Sequence, residues 1–115
     1  MKKHDFIVGV PCSALKQEIK EIKKYIPCTR EDEAVAMAFG AYLAGKNPQI
    51  FMQNSGLGNT VDVITSLLKP YGVELDLLIS LRNRPEHHIF MGKITIPLLK
   101  LLKYKKYRVI KQCKE

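Results

Sequence analysis

A chain of 115 residues, 46% apolar and 26% charged, without Trp, fits one globular domain and excludes long disorder. Its 19 basic and 11 acidic residues give a formal net charge of +8, which by itself admits nucleic acid, an anionic substrate or a plain solvated surface. The basic residues near the end (Lys100, Lys103, Lys105, Lys106, Arg108, Lys111, Lys114) are interrupted by Leu101, Leu102, Tyr104, Tyr107, Val109 and Ile110, which reads as the solvent face of a helix and a strand and argues against nucleic acid.

Phe6 to Val10 reads as a buried strand ended by Pro11. Ser13 to Lys24 follows as an amphipathic helix, with Leu15, Ile19 and Ile22 on one face and Ser13 as its N-cap. Tyr25 to Cys28 is the next strand. Thr29 can cap a helix whose first turn holds Glu31 and Asp32, acids that a helix dipole favours. Ala34 to Ala44 has no polar face, so burial on most sides is expected, by its own domain or by another chain.

Gln49 to Met52 is a central strand, and Gln53-Asn54-Ser55-Gly56-Leu57-Gly58-Asn59 a polar glycine turn. Thr60 to Leu68 then reads as a helix, Leu75 to Leu81 as a strand and Arg82 to His88 as a polar loop. Lys93 to Leu102 is a helix with Pro97 awkwardly inside it, and Tyr107 to Ile110 a last strand. This alternation predicts an α/β domain, a mostly parallel sheet with helices on both faces. Ligands in such sheets sit beyond the carboxyl ends of the strands. The turns at Pro11–Ser13, Thr29–Glu31, Asn54–Gly56 and Arg82–His88 all fall there.

Cys12, Cys28 and Cys113 are odd in number and match no zinc spacing. Met1 to Asp5 carries no signal-peptide pattern, and no run of about 18 apolar residues is present to cross a membrane. A reducing cytoplasm is the simplest setting.

Three stretches taken together carry a resemblance: Gly9-Val10-Pro11-Cys12-Ser13; Thr29 to Ala36, running on to Gly40-Ala41-Tyr42-Leu43-Ala44-Gly45-Lys46; and Met52 to Asn59, the most specific. In this order and spacing they resemble the sulfopyruvate and phosphonopyruvate decarboxylases, which depend on thiamine diphosphate. The likeness continues weakly through Leu77 to Arg82 and from His88 to Thr95, and spans Gly9 to about Leu102.

The resemblance implies that residues 1–115 form a single pyrimidine-binding domain. In this family another domain holds the cofactor's diphosphate and a Mg²⁺ ion through Gly-Asp-Gly. Here none of Asp62, Glu74, Asp76, Glu86 or Glu115 lies between two glycines. The diphosphate-binding half, with its Mg²⁺, is therefore expected on a beta subunit, in a hetero-oligomer or at least a homodimer, and no metal ligand is assigned to this chain. That division favours the split sulfopyruvate enzyme, converting 3-sulfopyruvate to sulfoacetaldehyde and CO₂ in coenzyme M biosynthesis. A piece of a phosphonopyruvate decarboxylase and a catalytically silent binding module are the alternatives.

The resemblance also implies residue roles. Glu31 would hydrogen-bond the pyrimidine ring and so help form the nucleophilic ylid, work suited to an acid in a water-poor place. Glu33 is its rival, and either acid also serves as a helix-terminus residue. Asn54, Ser55 and Gly56 would face the cofactor, and Asn54 the substrate as well, with Gly58 and Asn59 in the same turn. Ser13, a residue for substrate or proton relay, is equally an N-cap. His88 would transfer protons, with His87 beside it, although the loop from Arg82 to His88 is shorter than in relatives. Arg82, aided by Arg84, would attract the small anionic 2-keto acid; Lys46 reads more simply as a surface lysine. Relatives have a helix before the first strand, where this chain has Met1 to Asp5.

Overall fold

A computed structural model describes residues 3–11, 25–81 and 89–111. Five strands form one sheet: β1 (Phe6–Gly9), β2 (Ile26–Pro27), β3 (Pro48–Gln53), β4 (Asp76–Leu81) and β5 (Tyr107–Lys111). Their order is β2-β1-β3-β4-β5 and every pairing is parallel. The order reverses between β1 and β3, so a crevice opens at the carboxyl edge between those two strands. There the backbones approach closely. A Cβ on Gly9 would collide with the Phe51 carbonyl, and Val10 N–H donates to that oxygen at 3.3 Å.

Register fixes which side chains share a face. Val8 lies opposite Ile50, Ile50 opposite Leu77, and Met52 opposite Ile79. These five residues line the larger core, against Ala34, Val35, Ala38, Leu57, Ile64, Leu68 and Leu99. Each buried Ile or Leu contributes roughly 1.5–3 kcal/mol. The alternate residues Phe51 and Leu78 face the other way and gather Ile7, Tyr25 and Ile110. Phe51 meets the Tyr25 ring edge-on at 5.4 Å.

All the described helical segments contribute to the larger core: α1 (Glu31–Leu43), a composite segment from Asn54 to Leu68, and α3 (Ile89–Leu101). The helix expected over Ser13 to Lys24 lies outside the described residues. The composite segment opens with seven residues of 3-10 helix, Asn54–Thr60, continues as one α turn, α2 (Val61–Val63), and closes with a π turn, Ile64–Leu68. The expected glycine turn is thus itself helical. α3 starts at Ile89, four residues before the Lys93 that the sequence suggests, which leaves Pro97 in its middle.

α1 is expected to be covered on most sides, by its own domain or by another chain. Ala34, Val35, Ala38, Phe39 and Ala41 are buried, but Met37, Tyr42 and Leu43 are exposed, Leu43 by 66%. Among the described residues, the cover on this helix is one-sided. Among the described residues, no helix is long and apolar enough to cross a membrane.

Candidate active site

The chain leaves β2 at Pro27 and enters α1 through Cys28, Thr29 and Arg30. Arg30, not the expected Thr29, occupies the N-cap position, with extended backbone and no side-chain cap. Asp32 takes over that work: its Oδ1 accepts from Glu33 N–H at 2.8 Å, and its carboxylate is gripped by the Arg30 guanidinium at 3.0 and 3.1 Å. The Arg30 hydrogen bonds hold the Asp32 carboxyl below the usual carboxylate range. Glu31, the first residue of α1, is left without a share in capping and turns toward the segment that follows β3.

There it meets Gly56. A Cβ on Gly56 would fall within the Glu31 carboxyl group and its Cγ, so the bare glycine makes the room that this carboxylate fills. Asn59 Nδ2 donates to Glu31 Oε1 at 3.0 Å. Among the described residues, Oε2 has no hydrogen-bond partner. The result is a carboxylate on a half-buried residue at the carboxyl edge of the sheet, with Oε1 held by Asn59 and Oε2 lying against Gly56.

Glu33 lies elsewhere. It is exposed, borders a groove shared with Asp62 and Ser66, and reaches the Cys28 thiol. Burial, with the charge and hydrogen bond of Glu33 added, pushes that thiol up. Cys28 Sγ also points at Met37 Sδ, 3.6 Å away, so it sits in the site as a protonated, enclosed group.

The turn residues divide their work. Asn54 is fully buried, and its Nδ2 donates to Thr95 Oγ1 at 2.9 Å, tying the segment to α3. Thr95 in turn donates to Met91 O. Ser55 is exposed and receives Gln53 Nε2 at 2.8 Å. Gly58 has open space where a Cβ would stand. Ser13, Arg82 and His88, with Arg84 and His87, lie outside the described residues. Lys46 precedes β3 at the amino edge, the opposite end from Glu31, as Lys105 and Lys106 precede β5.

Sequence reasoning missed Asn59 as the partner of Glu31, Thr95 as the partner of Asn54, and Ser80. The Ser80 hydroxyl, near the carboxyl end of β4 and beside Gln53 in register, is fully buried. Among the described residues it is the one buried side-chain polar atom without a partner. An unpaired hydroxyl on a central strand at the ligand edge is the kind of signal that only packing reveals. No group of three His, Cys, Asp or Glu side chains that could hold a metal occurs among the described residues.

No family model matches the chain. Curated relatives do. The sulfopyruvate decarboxylase subunit alpha of Methanocaldococcus jannaschii is 48% identical over 84 residues, 69% of this chain and 50% of that protein. The subunit alpha of Methanothermobacter thermautotrophicus is 37% identical over 107 residues, 85% of this chain and 65% of that protein. The phosphonopyruvate decarboxylase of Streptomyces viridochromogenes is 40% identical over 106 residues, 83% of this chain and 26% of that protein. This chain belongs to the sulfopyruvate and phosphonopyruvate decarboxylase family. It spans between half and just under two thirds of the alpha subunits it matches here. The family's resemblance in sequence and the parallel α/β sheet in three dimensions therefore agree.

Proposed function

We propose that this chain forms the pyrimidine-binding part of a thiamine-diphosphate-dependent decarboxylase that converts 3-sulfopyruvate to sulfoacetaldehyde and CO₂. It would act as the alpha subunit beside a beta subunit that carries the diphosphate-binding half and its Mg²⁺. The observation that carries the reading is the Glu31 carboxylate, lodged against Gly56 with Oε2 unengaged at the ligand edge of the sheet. That arrangement fits a ring nitrogen bearing a proton, which needs one acceptor held still. When bound, thiamine diphosphate supplies the nucleophilic carbon and the electron sink for loss of CO₂.

The chain's own residues do the rest. Glu31 accepts the hydrogen bond from the pyrimidine ring. Asn54 acts from inside, fixing Ser55 and Gly56 against α3 so that both face the cofactor. Arg82 pairs with the sulfonate, Ser13 orients the keto-acid carboxylate and His88 moves the proton that completes the product. The half-buried Glu31 and the exposed side of α1 both support a partner that closes over this edge. The names of the relatives as subunit alpha support a separate chain for that partner.

The test is reconstitution with a beta subunit bearing Gly-Asp-Gly, thiamine diphosphate and Mg²⁺, with CO₂ release measured from 3-sulfopyruvate and phosphonopyruvate in parallel. The chain alone should be inactive and the pair active on 3-sulfopyruvate. Glu31→Gln should lower kcat at least about a hundredfold, and Glu33→Gln should leave it nearly intact. A pair that released CO₂ from neither acid would leave a silent binding module as the answer. The 40% identity to a phosphonopyruvate decarboxylase makes preference for phosphonopyruvate the second reading.

A further inference from the structure

A glutamate at the first position of a helix has three rotatable side-chain bonds and solvent on one side, so its carboxylate does not hold one position unaided. In this chain two features restrict it. The bare Cα of Gly56 admits the carboxylate from beneath, and Asn59 Nδ2 holds Oε1 at 3.0 Å. The other polar side chains of the 3-10 run are engaged elsewhere: Asn54 with Thr95, Ser55 with Gln53, and Thr60 with the Leu57 carbonyl at 2.6 Å. Among the described residues, Asn59 is thus the one side chain that fixes Glu31.

The type of donor matters. A lysine or arginine here would neutralise the carboxylate and compete for its electrons. An aspartate would repel it. A carboxamide N–H fixes one oxygen while leaving the negative charge available at the other.

We propose that Asn59 is the positioning residue for Glu31, holding Oε1 so that Oε2 is presented to the pyrimidine ring; this rests on the reading of Glu31 given above. Asn59 does not touch the reacting atoms. It removes rotational freedom that would otherwise be lost when the transition state is reached, so its loss acts on kcat more than on KM.

Two measurements test this. In NMR spectra of the chain alone, one Asn59 side-chain amide proton should lie downfield, and Glu31→Gln should move it upfield. An unmoved resonance would mean that the bond is not formed and would overturn the proposal. In the assembled enzyme, Asn59→Ala should lower kcat roughly ten- to a hundredfold, with KM for the keto acid within about twofold. Asn59→Asp, equal in size but without the donor, should fall at least as far. If Asn59→Ala turns over at the native rate while Glu31→Gln is inactive, the positioning role fails and the role of Glu31 stands. If Glu31→Gln itself stays active, both fall. Because Asn59 is exposed, the rest of its variant's spectrum should match the native one. Shifts throughout the sheet would assign Asn59 to the fold and overturn the proposal.

Discussion

Two glycines in one turn, Gly56 and Gly58, behave differently. Ala at Gly56 would place a Cβ inside the Glu31 carboxyl group, and Ala at Gly58 would meet nothing within contact distance. Glu31 is only half-buried and can swing outward, so Gly56→Ala is expected to lower kcat at least tenfold while costing no more than about 1 kcal/mol of stability. Gly58→Ala should leave activity alone and be neutral or stabilising, by up to about 1 kcal/mol, through a less free unfolded chain. Turnover of the assembled enzyme and urea unfolding of the chain check both. The sequence singled out this turn and Glu31 separately, by motif. It did not join them, because Glu31 and Asn59 are 28 positions apart and meet only through the packing of α1 against the segment after β3. It preferred Glu31 to Glu33 only through the family motif, since two acids two positions apart look alike until the helix sets their directions.

Between α3 and β5 the chain is secured by Tyr104. Its buried hydroxyl accepts from Leu75 N–H at 2.9 Å and donates to Leu75 O, and its ring lies 5.9 Å from Lys69 Nζ. Tyr104→Phe leaves both Leu75 groups without a partner, an expected loss of about 2–4 kcal/mol. Burial, the largest influence, holds the Tyr104 phenol far above its ordinary range. The folded chain therefore keeps a proton that the unfolded chain gives up near pH ~10. Stability from this group is complete below that pH and falls as pH rises beyond it, a slope that urea titrations should find in the native chain and lose in Tyr104→Phe. At this scale the elements were largely legible, for strands and helices alternate in both hydrophobic period and length. The start of α3 was not. Ile89 and Phe90 are apolar yet exposed, so their period carried no core signal, and Pro97 drew the expected helix short.

Across the whole sheet, burial rises toward the centre. β3 and β4 are almost wholly buried, while β2 is a two-residue edge with Ile26 38% exposed. Native-state hydrogen exchange should find the slowest amides at Ile50 to Met52 and Leu77 to Ile79, and fast exchange at Ile26. Equal protection across all strands would contradict the order β2-β1-β3-β4-β5. The parallel architecture followed from the alternation of elements, and the family followed from three short motifs. The uncovered side of α1 could be read only in part. An all-apolar helix states that it is covered, not by what.

The segment from Asn54 to Leu68 works as a phase adjuster. Its inward residues Leu57 and Thr60 are three apart, as a 3-10 helix requires, and Thr60, Ile64 and Leu68 are then four apart, as a wider turn allows. Overwinding at the start is repaid by underwinding at the end. The first half can therefore aim Gly56 and Asn59 at Glu31 without rotating the second half off the core. Such a segment tolerates new side chains on its outer surface far better than a change of length. One residue more or less would advance the winding by a third of a turn and send either the glycine or the core leucines in the wrong direction.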